Sequence, residues 1–119
     1  KNNGISISFN GNEYPLRVAE IAIVSPSAVT TAVIASIYIN TDKNNVLKFI
    51  DDYNVSKDME NLFDGYELDS EVKKEFFSTF DGKDYPIIQI ISDDNYEDIL
   101  KVSKEMRNNI RGEDIGGLG

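Results

Sequence analysis

The spacing of apolar residues changes period several times along this chain, and each change marks an element. Ile5, Ile7 and Phe9 alternate with Ser6 and Ser8, the period-2 signature of a strand with one buried face. Asn10-Gly11 follows, a dipeptide suited to the positive φ angles of a hairpin turn. Residues 13–24 then predict a second strand, with Pro15 near its start, where a missing N–H costs least. Residues 21–39 carry no charge. Ser25-Pro26 is a good helix opening, with Ser as N-cap and Pro at the first helical position. Ala28, Ala32, Ala35 and Ile39 would share one face of that helix. The abundance of Val, Ile and Thr makes a strand the competing reading, and the helix is preferred. A helix apolar on nearly all sides belongs at the centre of a core or at an interface. The same run raises a membrane span, against which Pro26, the Ser and Thr residues and the lack of basic flanks all weigh.

Residues 44–52 read as a short helix with Val46, Leu47 and Ile50 inward, and 57–63 as a further turn or two closed by Gly65. Asp69 or Ser70 then caps a helix in which Val72, Phe76, Phe77 and Phe80 recur at helical spacing. Strand 85–92 carries Ile87, Ile88, Ile90 and Ile91, interrupted by Gln89, as expected of a strand buried on both faces. Helix 94–109 has acids at its start and bases toward its end, matching the helix dipole, and its inward stripe is Tyr96, Ile99, Val102, Met106 and Ile110. The last residues contain four glycines and predict a tail at 112–119, after a single globular domain at 1–111.

Two stretches resemble each other. Phe9-Asn10-Gly11-Asn12-Glu13-Tyr14-Pro15-Leu16 returns as Phe80-Asp81-Gly82-Lys83-Asp84-Tyr85-Pro86-Ile87, and Ile23-Val24-Ser25 matches Ile90-Ile91-Ser92. This suggests a pseudo-repeat over 9–36 and 80–103, in which turn, strand and helix recur. On that reading Phe76 to Phe80 competes as a strand, although a helix over 70–80 is favoured. The fold class is therefore α+β: a small, mostly antiparallel sheet of strands 5–9, 13–24 and 85–92 carrying helices. The expected core is Ile7, Phe9, Leu16, Ile21, Ile23, Val29, Val33, Ile37, Leu47, Ile50, Phe76, Phe80, Ile88, Ile90, Ile99, Val102 and Met106.

Composition narrows the chemistry. The chain has neither Cys nor His, which excludes disulfides, thiolate nucleophiles, cysteine or histidine metal sites and Ser–His triads. No phosphate-binding glycine loop or nucleophile elbow is present. The alternating oxygens of Asp52, Asn54, Ser56 and Asp58 resemble the start of a calcium loop. That loop requires Gly where Lys57 stands and Glu where Phe63 stands, so neither a metal nor another cofactor is expected.

The net charge of −9 is unevenly spread. Asp51, Asp52, Asp58, Glu60, Asp64, Glu67, Asp69 and Glu71 face a single base, Lys57, within 51–71. Nucleic acid and anionic membrane are disfavoured as partners. The stripe Lys101, Lys104, Arg107 and Arg111 is read as helix-end electrostatics. Tyr53, Phe63 and Tyr66 lie among the acids and could serve as aromatic anchors of an interface. The candidate partner-binding residues are thus Asp51, Asp52, Tyr53, Asp58, Glu60, Phe63, Asp64, Tyr66 and Glu67. These features point to a small non-enzymatic interaction protein of immunity, inhibitor or accessory-factor type, engaging a basic protein. The alternatives are a subunit of a larger, phage- or virion-like assembly that self-associates through 21–39, and a small hydrolase-like enzyme using carboxylates.

Overall fold

A computed structural model describes the backbone at residues 4–11 and 19–118 and the side chains of these residues through 109. Within them the fold is α+β: a three-stranded mixed sheet with five helices packed on it. The strands are β1 (Ile7–Phe9), β2 (Ile21–Val24) and β3 (Ile87–Ile90), in spatial order β1-β2-β3. The helices are α1 (Val29–Asn40), α2 (Lys43–Val55), α3 (Met59–Asp64), α4 (Ser70–Thr79) and α5 (Tyr96–Leu118).

The sheet departs from the expected hairpin. β1 runs parallel to β2, with Ile7 opposite Ile21, Ser8 opposite Ala22 and Phe9 opposite Ile23. Only β2 and β3 are antiparallel, with Ile21 opposite Ile90 and Ile23 opposite Ile88. Alternation shows that a strand has two faces but carries no strand direction, so the period-2 pattern of 5–9 fitted either pairing. Parallel neighbours need a crossover rather than a two-residue turn, and Asn10-Gly11 opens that crossover. Residues 12–18, including Tyr14, Pro15 and core candidate Leu16, lie outside the described residues.

The central strand explains the uncharged run. All four residues of β2 are buried, because helices cover both faces of the sheet. Ile21 and Ile23 point into the main core with Val33, Ile34 and Ile37 of α1 and Phe49 and Ile50 of α2. Ala22 points the other way, against Ile99 of α5. β3 is an edge strand, and only Ile88 of its four residues is fully buried. Phe9, expected in the core, is 40% exposed at the other edge.

The outward side of β3 is closed by side chains. The carbonyl of Pro86 accepts from the Tyr53 hydroxyl at 2.6 Å, that of Ile88 from Asn54 Nδ2 at 2.9 Å, and that of Ile90 from Asn95 Nδ2 at 2.8 Å. Alternate residues of a strand present their carbonyls to one side, so these three acceptors form one row. Helix α2 therefore stands where a fourth strand would add.

Helix α1 buries its Val and Ile face. The alanine face expected inward is half-buried or exposed, and Ile39 at its end is 78% exposed. The larger side chains remove more apolar area from water, which decides the rotation. Ser25 is not the N-cap; the helix opens at Val29, where the Val29 N–H donates to Ser27 Oγ at 3.2 Å. Helix α2 is capped by Asp42, which accepts from the Asn45 N–H at 2.9 Å, and its inward stripe is Val46, Phe49, Ile50 and Tyr53. Leu47 is half-buried beside it, as are Val102 and Met106 on α5.

Residues 70–79 are helical, as favoured, and Phe76 and Phe80 are buried. The pseudo-repeat does not extend to equivalent loops. Phe9 ends a strand whereas Phe80 follows a helix, and positive φ falls at Asn10 (51°) in one copy but at Gly82 (71°) in the other. Helix α5 takes in residues 112–118, the segment whose glycines suggested a tail. The stripe of Lys101, Lys104 and Arg107 consequently lies within the helix rather than at its end, and Arg107 Nη1 donates to the Asn10 carbonyl at 3.0 Å.

Candidate functional site

The acidic segment spans the end of α2, all of α3, the loop after it and the first turn of α4. Its residues are sorted by helical geometry. On α2, Tyr53 follows Phe49 and Ile50 inward, so Asp51 is turned to solvent. On α3, Phe63 is 1% exposed while Glu60 and Asp64 face outward. Asp58, Glu67, Asp69 and Glu71 are exposed as well. Carboxylates outside and aromatic rings inside result from one chain segment.

This sorting corrects two of the candidates. Tyr53 is 6% exposed and Phe63 is 1% exposed; both belong to the core. The Phe63 ring packs 5.3 Å from Phe49 and 4.9 Å from Phe76 between centroids, within the range of favourable aromatic pairs. They hold the face in shape from beneath and are not available as anchors. Of the three aromatics, Tyr66 alone remains partly accessible.

Tyr66 and Asp52 are brought together. The Tyr66 hydroxyl donates to Asp52 Oδ2 at 2.6 Å. Lys48 Nζ lies 3.5 Å from the same carboxylate and 5.4 Å from the Tyr66 ring centroid, and donates to the Tyr66 hydroxyl at 3.4 Å. The Tyr66 hydrogen bond, followed by the Lys48 charge, holds the Asp52 carboxyl below its ordinary range. Burial and the hydrogen bond to Asp52 push the Tyr66 phenol up, so it remains a neutral donor at physiological pH.

The other acids divide by role. Asp58 is the N-cap of α3, accepting from the Asn61 N–H at 3.1 Å. Asp64 forms an ion pair with Lys73 of α4. Asp69 accepts from Asn40 Nδ2 at 3.3 Å, and its N–H donates to Ser36 Oγ at 2.8 Å, tying the loop to α1. Asp51, Glu60, Glu67 and Glu71 have no ion pair among the described residues. Lys48 and Lys73 enter the site from outside the acidic cluster's own sequence of carboxylates. Lys48 was legible as the i, i+4 partner of Asp52, whereas Lys73 meets Asp64 only through the packing of α4.

The alternating oxygens at 52–58 do not make a calcium loop. Helix α2 continues to Val55, and Asn54 is committed to the Ile50 and Ile88 carbonyls. Among the described residues no group of three or more carboxylates is placed to hold a metal ion, and no helix is long and apolar enough to cross a membrane. Comparison with known proteins returns no relative: no family model, no curated protein and no solved structure matches the chain.

Proposed function

We propose that the protein is a small interaction module whose acidic face, carried by α2, α3 and the start of α4, binds a basic protein. The supporting observation is the division of labour within 51–71. Two rings of this segment, Tyr53 and Phe63, are buried as scaffold, while Asp51, Glu60, Glu67 and Glu71 stand outside without a cation among the described residues. Neither caps nor ion pairs within that set account for these four carboxylates. Complementary charge of this kind accelerates encounter and selects partners. Tyr66, with its hydroxyl directed to Asp52, supplies a partly exposed ring at the centre of the charge.

Self-association through 21–39 is the weaker reading, since β2 and the Val and Ile face of α1 fill the protein's own core and leave Ile39 as the exposed large apolar side chain of that run. The proposed face is tested by neutralising carboxylates with no structural task. The variant Asp51→Gln, Glu60→Gln, Glu67→Gln leaves the Asp58 cap and the Asp64–Lys73 pair intact. Affinity capture from the native source, compared at low and high salt, should recover a basic protein with the parent chain and lose it with the folded triple variant. Retention of the same partner by that variant, or no basic protein captured by the parent, overturns the proposal.

A further inference from the structure

The Asn10-Gly11 dipeptide does not make the turn its composition suggests, and the Asn side chain is used in another way. The Asn10 N–H donates to the Ile23 carbonyl at 2.8 Å, continuing the β1–β2 ladder. Its carboxamide then takes one further rung: Oδ1 accepts from the Ser25 N–H at 2.9 Å, and Nδ2 donates to the Ser25 carbonyl at 2.7 Å. The backbone sits at φ 51°, a conformation that Asn tolerates better than most residues. Arg107 closes the arrangement from α5 by donating to the Asn10 carbonyl at 3.0 Å. Asn10 is 8% exposed and Gly11 is buried.

Asn followed by Gly is also the pair most prone to deamidation, because glycine has no side chain to obstruct its own nitrogen. The Gly11 nitrogen, losing its proton to solvent base, attacks Asn10 Cγ. A bond forms between that nitrogen and Cγ, the Cγ–Nδ2 bond breaks, and ammonia leaves with a proton from solvent. Water then opens the succinimide at either carbonyl, leaving an aspartate or its β-linked isomer at this position. The net change is one water consumed and one ammonia released. In the fold this attack is blocked. The carboxamide is clamped at both ends by Ser25, and the Gly11 nitrogen is screened from solvent base.

We propose that Asn10-Gly11 is a latent deamidation site, guarded by the Ser25 and Arg107 contacts and exposed only when the end of the β1–β2 ladder opens. The conversion also prevents reclosure. A carboxylate in place of the Asn10 carboxamide has no proton to donate to the Ser25 carbonyl, and the β-linked isomer adds a methylene to the backbone where the ladder ends. The site would thus turn a transient opening into a permanent release of β1.

The test holds the whole protein in mildly alkaline buffer, native and in unfolding urea, and follows conversion of Asn10 by peptide mapping. Conversion should be at least about tenfold slower in the native state, the ratio being set by the opening equilibrium. Arg107→Met should accelerate it in the native protein and leave the urea rate unchanged. Equal native and urea rates overturn the proposal, and an unaltered native rate in Arg107→Met overturns the part given to Arg107. Hydrogen exchange on the deamidated protein, separated by ion exchange, should show protection lost at residues 8–10 and 25 and kept in α1 and α2. Unchanged protection in β1 overturns the irreversible release.

Discussion

Single side chains carry two consequences that differ in sign. Ser103 Oγ is buried without a hydrogen-bond partner among the described residues. It lies on α5, the helix that packs on β2. An orphaned buried hydroxyl is costly, and Ala is the better helix former. Ser103→Ala should therefore raise stability by about 1 kcal/mol, read as a higher urea midpoint at unchanged m-value. At Asp52 the folded carboxyl is held low by Tyr66 and then by Lys48. A group whose folded pKa is depressed stabilises above its unfolded value, near 3.9, and that contribution is lost as pH falls through the folded value. Tyr66→Phe removes the largest cause. The urea midpoints of parent and variant should differ at neutral pH and converge as pH falls from about 5 to about 2. Parallel curves across that range would exclude Asp52 as the linked group.

Among the elements, β3 shows how side chains can substitute for a strand. Its outward carbonyls at Pro86, Ile88 and Ile90 are taken by Tyr53, Asn54 and Asn95, which leaves an incoming strand few acceptors on that side. Tyr53→Phe keeps the ring in the core but orphans the Pro86 carbonyl, at an expected cost of about 1–3 kcal/mol in urea denaturation. A cost near zero would mean that water replaces the hydroxyl. The closure by Tyr53 and Asn54 was not visible in the sequence, because it joins residues more than thirty positions apart. What was legible followed from local periodicity: the helices at Val29, Lys43, Ser70 and Tyr96, the strand at Ile87, and the apolar centre at Ile21 and Ile23. Strand direction was not legible, since β1 alternates identically in either pairing and its parallel partners, Ile21 to Ile23, lie beyond the crossover. The fate of Tyr53 and Phe63 could have been inferred from their spacing to Phe49 and Met59, but the surrounding acids drew both toward the surface reading. Asp51, Glu60, Glu67 and Glu71 stand outside, because charge without a partner has nowhere else to go.

For the molecule as a whole, the net charge of −9 acts as a distributed strain as well as a docking signal. Eight acids against Lys57 within 51–71 repel one another across short helices, while the ion pairs Asp64–Lys73 and Asp52–Lys48 offset part of that repulsion. Both pairs are at the surface, where such contacts contribute little. Repulsion among the remaining carboxylates should therefore dominate the salt response. The Debye length falls from about 30 Å at 0.01 M to about 10 Å at 0.1 M, and screening over that range should raise the urea midpoint of the parent chain. The Asp51→Gln, Glu60→Gln, Glu67→Gln variant removes three of the repelling charges and none of the described pairs, so its midpoint should start higher and rise less. If salt lowers the parent's midpoint instead, the ion pairs outweigh the repulsion. The face would then be electrostatically satisfied in the free protein, with little left to gain from a basic partner. The same titration therefore measures stability and examines the physical premise of the proposed function, before any partner is identified.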